Sequence, residues 1–176
     1  MIRDIPPRAY VQLLNTRVSR LAAFGDADLH IPAIEVKGTG SWIAGRGGEV
    51  HGALLKHDPR SQVPLSLRRG GTLETFLRVE PFNRYQLHVV SYRIAIMDLP
   101  DNVYGLKSFR YDWRLRPTHD PETDPVLHDN PQHPHAHVHI NFLHPGDKDC
   151  RLPTGPICPI LLLCAFDHWY CRTFGD

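Results

Sequence analysis

No cysteine precedes Cys150, and no two cysteines stand at CxxC spacing. The apolar stretch "PICPILLLCAF" stops well short of the roughly 18–20 residues that a membrane helix needs. The first residues, "MIRDIPPRAY", contain no apolar signal core. Together these absences point to a cytoplasmic protein without a membrane partner. They favour free thiols or a metal site over disulfides. A charge excess is missing too: 20 basic residues face 19 acidic ones, for a net charge of +1. Nothing global demands nucleic acid, so such a partner has to be read from local patches. The glycine-rich "GTGSWIAGRGGEVHG" is not framed by a strand and a helix, so it matches no phosphate-binding fingerprint. There is no internal repeat and no low-complexity tract.

What is present fits one folded domain spanning 1–176. A chain of 176 residues, 41% apolar and 22% charged, can bury a real core. "DIPPRAYVQLLNTRVSRLAAFG" predicts an amphipathic helix, with Asp4 as cap and Pro6 and Pro7 in the first turn. Val11, Leu14, Val18 and Leu21 form its buried stripe, and Gly25 ends it. "DLHIPAIEVK" reads as a strand that Pro32 confines to a sheet edge. The six glycines of residues 38–52 read as turns. "EVHGALLKH" and "TLETFLRVE" are short strand candidates. The final apolar segment, about residues 159–172, reads as a helix opened by Pro159.

Two segments alternate strictly. In "QLHVVSYRIAIM", His88, Val90, Tyr92, Ile94 and Ile96 share one face, and Leu87, Val89, Ser91, Arg93 and Ala95 the other. In "KSFRYDWRL", Phe109, Tyr111, Trp113 and Leu115 oppose Ser108, Arg110, Asp112 and Arg114. Period two marks half-buried antiparallel strands. Residues 116–134 carry five prolines and form a long loop placed to act as a lid.

After that loop, "HPHAHVHINF" sets histidines at 133, 135, 137 and 139 and an asparagine at 141. Ala136, Val138, Ile140 and Phe142 make a complete apolar ladder, so His135, His137, His139 and Asn141 face away from the core. If 86–97, 106–115 and 135–143 pair as a meander, Arg93, Arg110, Asp112 and Arg114 join them on one surface. Arginines and histidines together attract anions and can move protons.

Three readings follow. One is metal-independent phosphodiester cleavage, with His137 and His139 as the acid–base pair, His135 and Asp112 orienting them, and Arg110 and Arg114 on phosphate. RNA suits it, because the 2′-hydroxyl is an internal nucleophile. Another is a metal site of His137 and His139 completed by Asp112 or His128, taking zinc or another divalent ion. The third is a plain polar face, or a non-enzymatic binding module for an anionic or protein partner.

Short motifs carry two resemblances. "HAHVHIN" is similar to the histidine-triad pattern, with Asn141 in its last apolar place. That resemblance implies nucleotide hydrolysis or transfer with His139 as nucleophile, although the glycine-rich segment of that family is missing upstream. The succession "QLHVVSYRIAI", "SFRYDW", "HPHAHVH" and a closing helix resembles the TumE-type toxins of bacterial toxin–antitoxin modules over about residues 85–172. It implies a small α+β protein with a cognate antitoxin, acting on RNA or translation, with ribonuclease activity as one form of that action.

On the last helix Cys164, His168 and Cys171 fall at i, i+4 and i+7, one face. They would supply three zinc ligands, with Cys158 or Cys150 as the fourth, or simply fill a buried helix face as free cysteines do. Trp169, Tyr170 and Phe174 read as core or interface. The fold expected is α+β: a twisted antiparallel sheet with the N- and C-terminal helices on one face and the site on the other.

Overall fold

Residues that alternate in sequence become a sheet here, and the two apolar-striped ends become the helices that cover it. The computed structural model describes residues 2–3, 5–24, 29–47, 52–83, 86–114, 136–142, 150–155 and 157–175. In chain order the elements are β1 (Ile2–Arg3), α1 (Pro7–Val18), β2 (Ala33–Val36), β3 (Ser41–Arg46), α2 (Gly52–His57), β4 (Leu65–Ser66), β5 (Thr72–Asn83), β6 (Gln86–Met97), β7 (Leu106–Arg114), β8 (Ala136–Phe142), β9 (Cys150–Pro153) and α3 (Pro159–Phe174). The main sheet runs β2-β3-β5-β6-β7-β8-β9 and is antiparallel throughout. Strand β1 adds to β6 and β4 to β5. This is the expected α+β architecture.

Both terminal helices begin with proline, which suits a first turn whose N–H groups have no partner inside the helix. Helix α1 ends at Val18, well before Gly25, and the Ser19 N–H closes it on the Asn15 carbonyl. Its Tyr10, Val11, Leu14 and Val18 are buried, and so is Leu21 beyond its end. Leu163, Phe166 and Tyr170 of α3 enter the same core. Tyr92, Tyr111 and Val138 come from the sheet face beneath. Trp169 and Phe174 pack at the margin of that core. Asp4, Leu115 and the loop at 116–134 lie outside the described residues.

Three local expectations change. Residues 41–46 are a strand rather than turns, because β2 and β5 pair with it on both sides, and ladder bonds outweigh glycine content. The turn after it does need glycine: Gly47 has φ +70°, and a Cβ there would sit 2.9 Å from Pro64. Residues 52–57 are helical, not extended, consistent with the helix-favouring run Ala53, Leu54, Leu55, Lys56. In β6 the two-residue alternation breaks. Arg78 faces Ser91 but Val79 faces Val89, so Val90 is an extra residue and Val89 turns to the core. Strand β9, for which the sequence pattern carries no signal, pairs along β8 and makes it an inner strand.

Tyr111 ties the sheet to the approach of α3. Its hydroxyl donates to the Gly155 carbonyl at 2.8 Å and accepts from the Ile157 N–H at 3.2 Å. Its ring stacks on Tyr92 with centroids 5.2 Å apart. Tyr111→Phe keeps the ring and removes only the hydroxyl from a fully buried position. It is expected to cost about 1–3 kcal/mol, read as a lowered denaturant midpoint with an unchanged slope. An unchanged midpoint would mean that this tie holds nothing.

Candidate functional site

Strands β7 and β8 lie side by side with Asp112 opposite His137 and Arg110 opposite His139. On the other flank of β7, Arg93 of β6 stands opposite Asp112. Because side chains alternate along each strand, these five groups share the face away from Tyr111 and Val138. The core ladder and the site are therefore two sides of the same pairing.

Asp112 is the hub. Arg93 Nε donates to its Oδ1 at 2.6 Å, and Arg110 Nε donates to its Oδ2 at 2.7 Å. The same Oδ2 lies 3.5 Å from His139 Nε2 and 3.8 Å from His137 Nε2. The two imidazoles touch, with centroids 4.7 Å apart and planes at 56°. Arg110 also reaches His139, Nη2 to Nε2 at 2.8 Å. A guanidinium has no lone pair to accept with, so in this contact His139 Nε2 is the acceptor. The ring is then neutral, with its proton on Nδ1.

Burial grades across the cluster. His139 and His137 are 5% and 9% exposed. The Asp112 side chain is 18% exposed, and Arg93 and Arg110 are 36% and 38%. Alternation alone places both rings on an open surface, but the structure buries them and leaves the arginines as the part that meets solvent. Strand β9, flanking β8 on its outer side, is the element that alternation did not reveal.

The remaining expected residues stand apart from this hub or lie outside the description. Asn141 is on the same face but donates from Nδ2 to Ser108 Oγ at 3.0 Å. Arg114 stands opposite Ser91 in the register, and its side chain is outside the described residues, as are His135 and His128. One neighbour went unnoticed. Phe76 of β5 stands opposite Arg93, so Phe76, Arg93, Asp112 and His137 occupy one row across four strands. Its signal was available in the alternation of "TLETFLRVE", where Leu73, Thr75, Leu77 and Val79 are the buried set.

Two donors about 2.0–2.1 Å from a tetrahedral zinc lie roughly 3.3–3.4 Å apart. The spacings at Asp112 Oδ2 come close to this. Among the described residues, Asp112, His137 and His139 form the group of three whose donor atoms lie within 4.8 Å of one another. The C-terminal trio is arranged differently. Cys164 and His168 are exposed, while half-buried Cys171 donates to Asp167 Oδ1 at 3.9 Å. Burial pushes the Cys171 thiol above its usual range, and the Asp167 carboxylate adds to that. Cys158 Sγ rests 3.8 Å from the Tyr10 hydroxyl. The side chain of Cys150 is outside the description.

Compared with models of protein families, with curated proteins and with solved structures, the chain has no significant match in any of the three. Among the described residues, no helix is long and apolar enough to cross a membrane.

The environments of α3 order its thiols. Exposed Cys164 should alkylate before Cys171 at pH 7–8, as read by peptide mass spectrometry over a time course with iodoacetamide. Faster labelling of Cys171 would contradict its burial against Asp167.

Proposed function

We propose that this chain is a phosphodiester-cleaving enzyme acting on RNA or a nucleotide, with Arg93 and Arg110 on the phosphate and the Asp112–His137–His139 cluster as the reactive centre. The observation that carries the reading is the hub itself. Two half-exposed guanidiniums meet one carboxylate directly beside two buried imidazoles. Two arginines against one aspartate and a neutral His139 leave the cluster net positive, which suits an anion. In the reaction the 2′-hydroxyl would lose its proton and attack phosphorus, the bond to the 5′ oxygen would break, and that oxygen would take up a proton.

Metal-free acid–base work needs one histidine near the attacking oxygen and another near the leaving one, on opposite sides of phosphorus. Here both Nε2 atoms approach the same Oδ2. That convergence suits one shared cation better than two opposed proton transfers. It favours the metal-assisted version of the reaction, with zinc or another divalent ion on Asp112, His137 and His139. Such an ion would supply Lewis-acid polarisation of a phosphoryl oxygen. Arg93 would fix the carboxylate and the phosphate together.

An RNA substrate would place the activity in the cytoplasm. The resemblance of residues 85–172 to TumE-type toxins adds a cognate antitoxin as a partner. The rival is a binding module that docks an anionic partner on the same face without chemistry.

Pooled RNA, incubated with and without zinc or manganese, separates these. The wild type is expected to cut it, and His137→Ala/His139→Ala to lose at least about 100-fold in rate while remaining folded. EDTA should abolish cutting in the metal-assisted version and leave it intact in the metal-free one. RNA retained uncut under every condition, and released by salt, would make this a binding module. Arg93→Gln should weaken RNA binding and lower its salt slope by about one, read by a filter-binding titration. An unchanged slope would remove Arg93 from the phosphate site.

A further inference from the structure

We propose that Arg110 is the resident cation of the Asp112–His137–His139 centre, which a divalent metal displaces and so frees to grip phosphate. The phosphate half rests on the reading above; the metal half does not.

The distances single out Arg110. Its Nε is 2.7 Å from Asp112 Oδ2, and its Nη2 is 2.8 Å from His139 Nε2. Those are two of the three donor atoms that a metal would take, and Oδ2 is the oxygen facing both imidazoles. One guanidinium therefore spans the donors that an ion would span. A nitrogen lone pair serves one partner at a time, so Arg110 and a metal exclude each other at His139 by stereochemistry as well as by charge.

Arg93 behaves differently. It takes Oδ1, so a metal bound through Oδ2 would leave it in place, orienting the carboxylate from outside the coordination shell. Arg110 has somewhere to go, since its side chain is 38% exposed. Displaced from Oδ2 and His139, it stays tethered on β7 beside the ion, where a phosphate oxygen would meet both. Metal and phosphate binding are then positively coupled, each raising affinity for the other by the same factor. Without metal, Arg110 is engaged at the hub.

The test is zinc binding by the full-length chain without a histidine tag, using competition with a chelating dye, on wild type, Arg110→Gln, Arg110→Lys and Arg93→Gln. Arg110→Gln is expected to bind zinc about tenfold tighter than wild type or more, because the donors no longer have to be vacated first. Arg93→Gln removes the same charge from the same carboxylate but frees neither Oδ2 nor His139, so it controls for charge, and its gain should be clearly smaller. Arg110→Lys keeps the charge but cannot span both donors, so it should also bind more tightly than wild type. It keeps the test alive should the glutamine variant misfold. Equal gains in the two glutamine variants would reduce Arg110 to a general charge and overturn the proposal. So would no gain in Arg110→Lys, or no zinc bound by any of the four proteins.

Inorganic phosphate binding measured with and without zinc completes the test. Zinc should tighten phosphate binding several-fold in wild type and by less in Arg110→Gln. Equal tightening in both would overturn the release of Arg110 to phosphate. Zinc behaviour as expected without any RNA cleavage would sink the enzymatic reading and leave the cation exchange standing. RNA cleavage with no zinc dependence at Arg110 would do the reverse.

Discussion

Tyr111 opposite Val138 and Asp112 opposite His137 are consecutive rungs of one ladder between β7 and β8. Everything else here hangs on that register. On one side it delivers Phe109, Tyr111, Trp113, Ala136, Val138 and Ile140 to the helices. On the other it delivers Arg110, Asp112, His137 and His139 to one another. A slip of one residue in either strand would send charged groups into the core and aromatic rings out of it. The apolar face thus fixes the polar face, with no separate device needed to assemble the site.

Within that frame the carboxylate of Asp112 settles the electrostatics. Two buried imidazoles beside a carboxylate, and a carboxylate only 18% exposed, would be costly alone. The two guanidiniums compensate it, one on each oxygen. Both are more than a third exposed, so solvent screens them and the pairs add little to stability. Their larger effect is positional. Strands β6 and β7 each bring one arginine to the carboxylate, β8 brings both imidazoles to its Oδ2, and Arg110 links that oxygen to His139.

Period two was the legible part of the chain. It located β7 and β8, both faces of each, and the five side chains of the hub, because alternation is a local property that any short stretch displays. What it could not carry was relational. The extra residue at Val90 belongs to the pairing of β5 with β6, and nothing in "QLHVVSYRIAIM" marks it. Strand β3 was hidden by glycines that two partner strands override. Strand β9 is four residues long and ends in proline, which in isolation reads as a turn. Burial of the histidines was illegible for the same reason, since it depends on what flanks β8 rather than on β8 itself. The bridging of Oδ2 and His139 by one guanidinium is finer still, and only side-chain geometry displays it.

The core side also explains why the site strands have little freedom. The Tyr111 hydroxyl is bonded to both Gly155 and Ile157, and the Tyr92 hydroxyl donates to the Ile157 carbonyl. Burial holds the Tyr92 phenol far above its ordinary range, so it remains a donor at any physiological pH. The Thr154 N–H bonds to the Ala136 carbonyl at the start of β8. The chain leaving β9 is thereby tied to β6, β7 and β8 before α3 begins at Pro159. A site on strands held this way keeps its groups at fixed separations. Whatever moves in it has to be a long, half-exposed side chain rather than the backbone, and Arg110 is the one that already holds two of the donors.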